Sequence, residues 1–458
     1  MKKIVSLFLA LAMVLGLVPA VVADEAPASD LLTITTEEIT LRYASDTQDY
    51  ELCLLLADEF MKDYPNITVE VLEMDIGTYA DSLANLASTQ NLPDVFWPGK
   101  IQYALLNDWL MCLDPWYAAD PDAQMINKTI LSGTVIGGRQ YCVPMQNAPT
   151  SMIVNKTIFD MYNVELPSLT WTWEEYCYAM ENVSHPEDYY YGAPESFDAG
   201  FFTTEWGWDG NSYTFEPWTE LTETIEDWCA RGLTAVTISE DVKQNIFAGN
   251  SASSQGHVAM EPLENYGWNS QAYLDGTWEA QTGSELLFYP MPTIDGKQIT
   301  NIGSAAIAKS CKYPNEAWEL MKYMGWGKKA NLISQQYYYD NEIASTYMPV
   351  IDDEEVWEDC KAKAHPRMVD FISNVGECFP KNDKYSPDGD GRRINWLFVI
   401  RPKVQDGSRT LADAVAEMYT KYNNAVANYF KKCPEFKDSG YVFSTATDLD
   451  IATVSDAE

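Results

Sequence analysis

The chain has 458 residues, 46% hydrophobic and 21% charged, with 68 acidic against 30 basic residues and a formal net charge of −38. Such a surface repels nucleic acid and anionic lipid, and it disfavours an anionic ligand unless a local basic pocket exists. The nearest approach to one is Lys431-Lys432, which reads as two solvated lysines near a helix end.

The first segment is an address rather than structure. Lys2 and Lys3 precede an apolar run from Ile4 to Val18, and Pro19-Ala20-Val21-Val22-Ala23 offers small residues for a signal peptidase. Residues 1–23 are therefore expected to be a signal peptide, cleaved near Ala23. The run is too short for a membrane-spanning helix, and no later stretch is long enough either. About 435 residues remain, too many for one core and enough for two domains.

Residues 24–38 are polar and acidic and read as a flexible leader. Ile39-Thr40-Leu41-Arg42-Tyr43 alternates as a strand, and Leu52, Leu56 and Phe60 mark one face of a helix stopped by Tyr64-Pro65-Asn66. Ile67, Val69 and Val71 alternate again; Tyr79, Leu83 and Leu86 mark a second helix; Pro93-Asp94-Val95-Phe96-Trp97 begins a third strand. This order predicts a parallel sheet with helices on its faces. The pattern resumes at Met152-Ile153-Val154, and Thr172-Trp173-Glu174-Glu175 fits a capping box. A turn-rich aromatic section runs from Tyr189 to Trp218. Phe288 to Pro292 and Ala305 to Ala308 read as strands. Ala317, Leu320, Met321 and Met324 line one helix, and Leu411, Val415, Met418, Tyr422 and Val426 line a last one.

Nine cysteines (53, 112, 142, 177, 229, 311, 360, 378 and 433) form no C-x-x-C pair, so zinc and redox motifs are unsupported. Export permits disulfides, and the odd count leaves at least one thiol unpaired unless it links chains.

Several blocks in order carry a resemblance. They are Tyr64-Pro65-Asn66-Ile67-Thr68-Val69 with Leu92-Pro93-Asp94-Val95-Phe96; Tyr141-Cys142-Val143-Pro144 leading to Val154-Asn155-Lys156; and Leu166-Pro167 before Thr170-Trp171-Thr172-Trp173-Glu174-Glu175. Gly256-His257-Val258-Ala259-Met260, Tyr289-Pro290-Met291-Pro292, Ile302-Gly303-Ser304 and Asn315-Glu316-Ala317-Trp318-Glu319 complete them. Together they resemble the extracellular solute-binding proteins of ABC importers, in the maltose-binding-protein-like group that takes sugars.

The resemblance implies an α/β, two-lobed periplasmic-binding-protein fold of type II, each lobe a mainly parallel sheet flanked by helices, joined by crossing strands. Residues 39–146 and 303–348 would form lobe 1, and 147–302 and 349–458 lobe 2. The crossings are expected near Met145 to Thr150, Thr300 to Ser304 and Tyr347 to Pro349, with Gly303 supplying hinge freedom. The same resemblance implies a carbohydrate ligand in the interlobe cleft, ABC permease subunits as partners, a monomer, no cofactor and no bound metal. A lipid anchor is not supported, since no cysteine precedes Cys53.

Sugar rings present apolar C–H faces and a rim of hydroxyls, so their sites combine flat aromatics with planar donors and acceptors. The chain holds 15 Trp and 28 Tyr, more than packing alone requires. Trp97, Tyr43, Ser45 and Asp46 stand at strand ends; Glu205, Trp206 and Trp208 lie in the aromatic section; Tyr266 and Trp268 follow Ala259-Met260; Asn147 and Asn301 stand at the crossings. These are the expected ligand-binding residues. Trp173 and Trp318 fall on helices and are expected in the core.

An enzyme is the main alternative. Its histidine base would have to be His185, His257 or His365, and no G-x-S-x-G, H-E-x-x-H or P-loop accompanies them. A receptor for a metal or another small solute is the second alternative. Tyr189-Tyr190-Tyr191 and Tyr337-Tyr338-Tyr339 resemble the adjacent tyrosines of ferric-binding relatives, but without a clear histidine or carboxylate partner both runs read as aromatic packing or sugar platforms. Asp388-Gly389-Asp390-Gly391 falls short of a calcium loop and reads as a turn.

Overall fold

The computed structural model describes residues 31–47, 49–203, 212–264, 271–294, 296–343, 347–380 and 396–434. The expected signal peptide, most of the expected leader, Glu205, Trp206, Trp208, Tyr266, Trp268 and residues 388–391 lie outside the described residues.

The first lobe starts as the periodicity predicts. Strand β1 (Ile39–Asp46), helix α1 (Tyr50–Asp63), β2 (Ile67–Met74), α2 (Tyr79–Ser88) and β3 (Val95–Phe96) follow in order. Leu52, Leu56 and Phe60 bury the inner face of α1 against the sheet. Pro65 disfavours helical geometry at Tyr64, which ends the helix there. β1 pairs parallel with β2 along its whole length, and Tyr43 of β1 pairs parallel with Val95 of β3.

The chain then leaves this sheet. β4 (Val143–Pro149) and β5 (Ser151–Asn155) are separated by Thr150 alone, yet they belong to different sheets. Helix α3 (Trp173–Val183) opens with the expected capping box: Thr172 Oγ1 accepts from the Glu175 amide, and the Glu175 carboxylate accepts from the Thr172 amide. Helix α4 (Glu216–Ala230), β6 (Met260–Leu263), α5 (Gln271–Leu274), α6 (Thr277–Thr282) and β7 (Leu286–Pro290) complete the second lobe's centre. β8 (Lys297–Ile307) returns to the first sheet. It is followed by α7 (Pro314–Met321), α8 (Lys328–Asp340), α9 (Glu354–Lys363), α10 (Val369–Asn374), β9 (Glu377–Pro380) and the long α11 (Leu411–Lys432).

The first sheet runs β2-β1-β3-β8-β4, with β9 beside the start of β8; only β8 opposes its neighbours β3 and β4. In the second sheet both regular ladders, β5 with β6 and β5 with β7, are antiparallel. Parallel order still governs there, because Tyr191 pairs parallel with Val258 and Ala193 with Thr234. In the first sheet β8 and β9, parallel to each other, run opposite to the other strands, and in the second β5 runs opposite to both its neighbours; β8 and β5 are the strands that arrive straight from the other lobe.

Around the third passage, expected near Tyr347 to Pro349, neighbouring residues pack in both cores. Met348 donates its amide to the Asn147 carbonyl at 2.7 Å, but Val350, Ile351 and Val356 still pack in the first lobe's core. Met348 itself belongs to the cluster beneath β7, together with Met368, Phe371 and Ile372. Ile351, paired with Ile126, holds the intervening stretch to lobe 1.

All nine cysteines are free thiols. Trp318 is fully buried and donates its indole N–H to Asp120 at 2.8 Å, while Trp173 packs against Tyr176, Phe202 and Trp228. Met418, Tyr422 and Val426 bury one stripe of α11 against the second lobe, where the Asn423 amide brackets both backbone groups of Tyr213.

Arg401, with a side chain only 4% exposed, pins the preceding turn to that lobe. It donates to Glu226 Oε1 at 2.7 Å and to the Phe197 carbonyl at 2.6 Å. Removing it strands a carboxylate and a carbonyl together. Arg401→Ala should cost about 3 kcal/mol in denaturant unfolding; a loss within about 0.5 kcal/mol, the level of an ordinary surface change, would show that the pair does not hold this segment.

Candidate functional site

Because β1 and β3 run parallel, their C-terminal ends meet on one edge of the first sheet, and the residues that follow them are brought together. Trp97 stands immediately after β3. It is 37% exposed, and its ring lies 5.3 Å from that of Tyr79, which is buried at the start of α2. One indole face is thus supported from behind while the residue remains open to solvent.

The end of β1 supplies polar groups. Tyr43 is half-buried, and burial, with Cys53, Tyr79 and two nearby aspartates adding to it, holds its phenol neutral far above ordinary pH. Asp46 accepts the Asp49 amide at 3.2 Å, and Asp49 Oδ2 accepts from Gln146 Nε2 at 2.9 Å. Burial pushes the Asp49 carboxyl up to about 6; the Gln146 hydrogen bond lowers it, and the Asp46 charge raises it. Ser45 points the other way. Only 4% exposed, its hydroxyl lies 3.2 Å from the Cys53 sulfur and 3.0 Å from the Asp46 carbonyl, tying β1 to α1.

At the crossing, Asn147 is likewise occupied. Its Oδ1 accepts from Thr300 Oγ1 at 2.5 Å and its carbonyl accepts from Met348, so three interlobe segments meet at this residue. Asn301 differs, for its side-chain Nδ2 is buried with no acceptor. The geometry therefore gathers Trp97, Tyr43 and Asp46 and places Ser45 and Asn147 in structural roles.

Three residues of the cluster escape sequence reasoning. Tyr79 reads as one more apolar helix position. Asp49, at the N-cap of α1, is one acid among many. Gln146 lies in the expected crossing, but nothing in its spacing distinguishes it from Asn147. The tyrosine runs resolve into packing: Tyr191 pairs with Val258, Tyr190 stacks on His257 at 4.4 Å, and Tyr338 is buried on α8 while Tyr339 is exposed. Among the described residues, no group of three or more His, Cys, Asp and Glu side chains is placed to hold a metal ion.

Residues 44–325 match the family described as bacterial extracellular solute-binding protein. The chain belongs to that family. Solved structures of solute-binding proteins share its two-lobed type II fold. The sugar-binding protein MalE of Xanthomonas citri superposes with a TM-score of 0.67 at 16% identity, covering 85% of this chain and 98% of that one. An ABC substrate-binding protein of Listeria monocytogenes, in complex with cycloalternan, gives 0.60 at 16% identity over 87% and 100%. The GacH receptor of Streptomyces glaucescens, solved unliganded and with acarbose, gives 0.58 at 17% identity over 86% and 99%. Comparison with curated protein sequences finds no match.

The raised Asp49 carboxyl gives a testable sign. The folded chain keeps a proton there up to about pH 6, whereas an unperturbed aspartate has released it by 3.8. Its stabilising contribution is therefore present at low pH and lost as pH rises between those values. Asp49→Asn should exceed the parent's stability at neutral pH by about 1 kcal/mol after solvent screening, and the gap should close near pH 4. A gap that does not change with pH would contradict this account.

Proposed function

We propose that this protein is an exported receptor that captures a neutral mono- or oligosaccharide between its lobes and delivers it to the membrane subunits of an ABC importer. The observation that carries the reading is the open face of Trp97, backed by Tyr79 and set beside Asp46, Asp49, Gln146 and the neutral phenol of Tyr43. An indole face suits a pyranose ring. The carboxylates accept from sugar hydroxyls, and the Asn301 amide offers a donor still lacking an acceptor. Relatives of the same fold that were solved with cycloalternan or acarbose support a saccharide as the class of ligand.

The basic, apolar and small-residue sequence of residues 1–23 supports export. On their sequence positions alone, Glu205, Trp206, Trp208, Tyr266 and Trp268 are proposed as further ligand-binding residues.

Binding without turnover is the natural consequence. His185 stacks on Tyr162 at 3.6 Å and contacts Glu187; His257 stacks on Tyr190 and contacts the Tyr189 carbonyl; His365 accepts the Arg367 amide. Each imidazole serves its own turn.

Calorimetry of the purified mature protein against a panel of neutral saccharides should reveal a ligand recovered unchanged. Release of new reducing ends that tracks the protein through purification would overturn the receptor reading. Trp97→Ala should weaken that binding about a hundredfold, from about 1 kcal/mol of stacking and about 2 kcal/mol of buried indole face. Because the indole is already partly exposed, stability should fall by no more than about 1 kcal/mol. Unchanged affinity in this variant would place the site elsewhere.

A further inference from the structure

The second lobe contains a separate pocket of about 140 Å³, lined by β5, β6, the turn around Ser253 and the helices α5 and α6. It is roomier than the roughly 15 Å³ that a single water requires. It also lies away from the crossing: Asn155, on its wall, is five residues beyond Thr150 along an extended strand, about 16 Å.

Two of the side-chain oxygens on the residues lining this space have no hydrogen-bond partner. Asn155 is 2% exposed, and its Nδ2 is fixed by donating to the Gly256 carbonyl at 3.2 Å and to Ser284 Oγ at 3.1 Å. Its Oδ1 is thereby held in place with no partner. Ser253 Oγ, on the facing turn, is also buried and unpartnered. Between them Glu261 receives one hydrogen bond, from the Tyr273 hydroxyl at 3.2 Å. No Lys, Arg or His lines the cavity. A carboxylate, an amide oxygen and a hydroxyl around a polar void, with no cationic side chain, form a set of hard acceptors without a counter-charge.

We infer that this cavity is a binding site for a hard divalent cation, calcium by preference, held by Glu261, Asn155 Oδ1 and Ser253 Oγ with water completing the shell. Calcium takes oxygen ligands of just these kinds in irregular numbers, whereas magnesium demands a regular octahedron and gives up its water reluctantly. A bound cation would supply the counter-charge that Glu261 lacks. It would also clamp the centre of the second sheet to α5 and to the Ser253 turn, a structural role independent of saccharide binding in the cleft.

The test uses the full mature chain, stripped of metal with chelator and dialysed. Calcium should raise its melting temperature saturably, beyond the effect of magnesium at equal concentration, with one ion bound per chain by calorimetry. Glu261→Gln should weaken that binding at least tenfold. Terbium substituted for calcium should show sensitised emission, because Trp278 and Tyr273 line the cavity; calcium should displace it. Trp278→Phe, which touches no proposed ligand, should cut that emission severalfold and leave the calcium-induced shift intact, and this arm stands even if Glu261→Gln fails to fold. The proposal is overturned if calcium acts no differently from magnesium, if Glu261→Gln keeps parental affinity, or if terbium emission is indifferent to Trp278.

Discussion

Antiparallel pairing of β4 with β8, from Val143 opposite Ala305 to Pro149 opposite Thr300, is the constraint from which the rest of the molecule follows. Both strands start in one lobe and finish facing the other, so their ladder fixes the two sheets' positions by backbone hydrogen bonds rather than by side chains. The register slips between Gly303 and Ser304, a bulge that bends the pair where it must turn between lobes. A Cβ at Gly303 would sit 2.7 Å from Gln146 Oε1, so a larger residue there would displace that amide. Gln146 in turn grips Asp49, so the interlobe ladder reaches the cluster at the end of β1 through a single side chain. The crossing strands and the polar groups at the end of β1 are therefore joined by a direct side-chain contact.

Charge is distributed to suit this. Buried basic groups are met by acids: Arg401 by Glu226, and Lys322 by Asp120 at 2.7 Å, with the Asp120 side chain 2% exposed. Most of the remaining acidity decorates the surface, where it promotes solubility and repels polyanions without disturbing the fold. The interiors are aromatic instead, with Trp171, Trp218, Trp228, Trp318, Trp326 and Trp396 all fully enclosed.

The sequence made the first lobe's order legible because strand and helix periods alternate cleanly there, and α11 because its stripe repeats over six turns. The capping box at Thr172 and the exposed place of Trp97 were legible for the same reason: local chemistry determines them. The second sheet was harder to read. Its parallel pairings at Tyr191 and Ala193 involve one or two residues each, too short for alternation to show, and they lie inside a turn-rich aromatic run. The packing of Val350, Ile351 and Val356 in the first lobe's core, just after Met348 has packed beneath β7, was hidden because these residues are apolar in a way that suits either core. Asp49, Gln146, Asn155 and Glu261 could not be singled out at all, since a polar residue acquires meaning only from partners distant in sequence. Asn147 and Ser45 show the converse, polar residues at well-chosen positions whose side chains are engaged by the fold itself.

If the two lobes are levers on the β4–β8 ladder, a ligand held between them must draw them together. Small-angle scattering of the mature protein, with and without a saturating saccharide identified by calorimetry, tests this most directly. The account predicts a smaller radius of gyration in the bound state, reversed when the sugar is dialysed away. A radius unchanged at full occupancy would mean that the sugar does not bridge the lobes, and that the cleft at Trp97 is not where this protein captures its ligand.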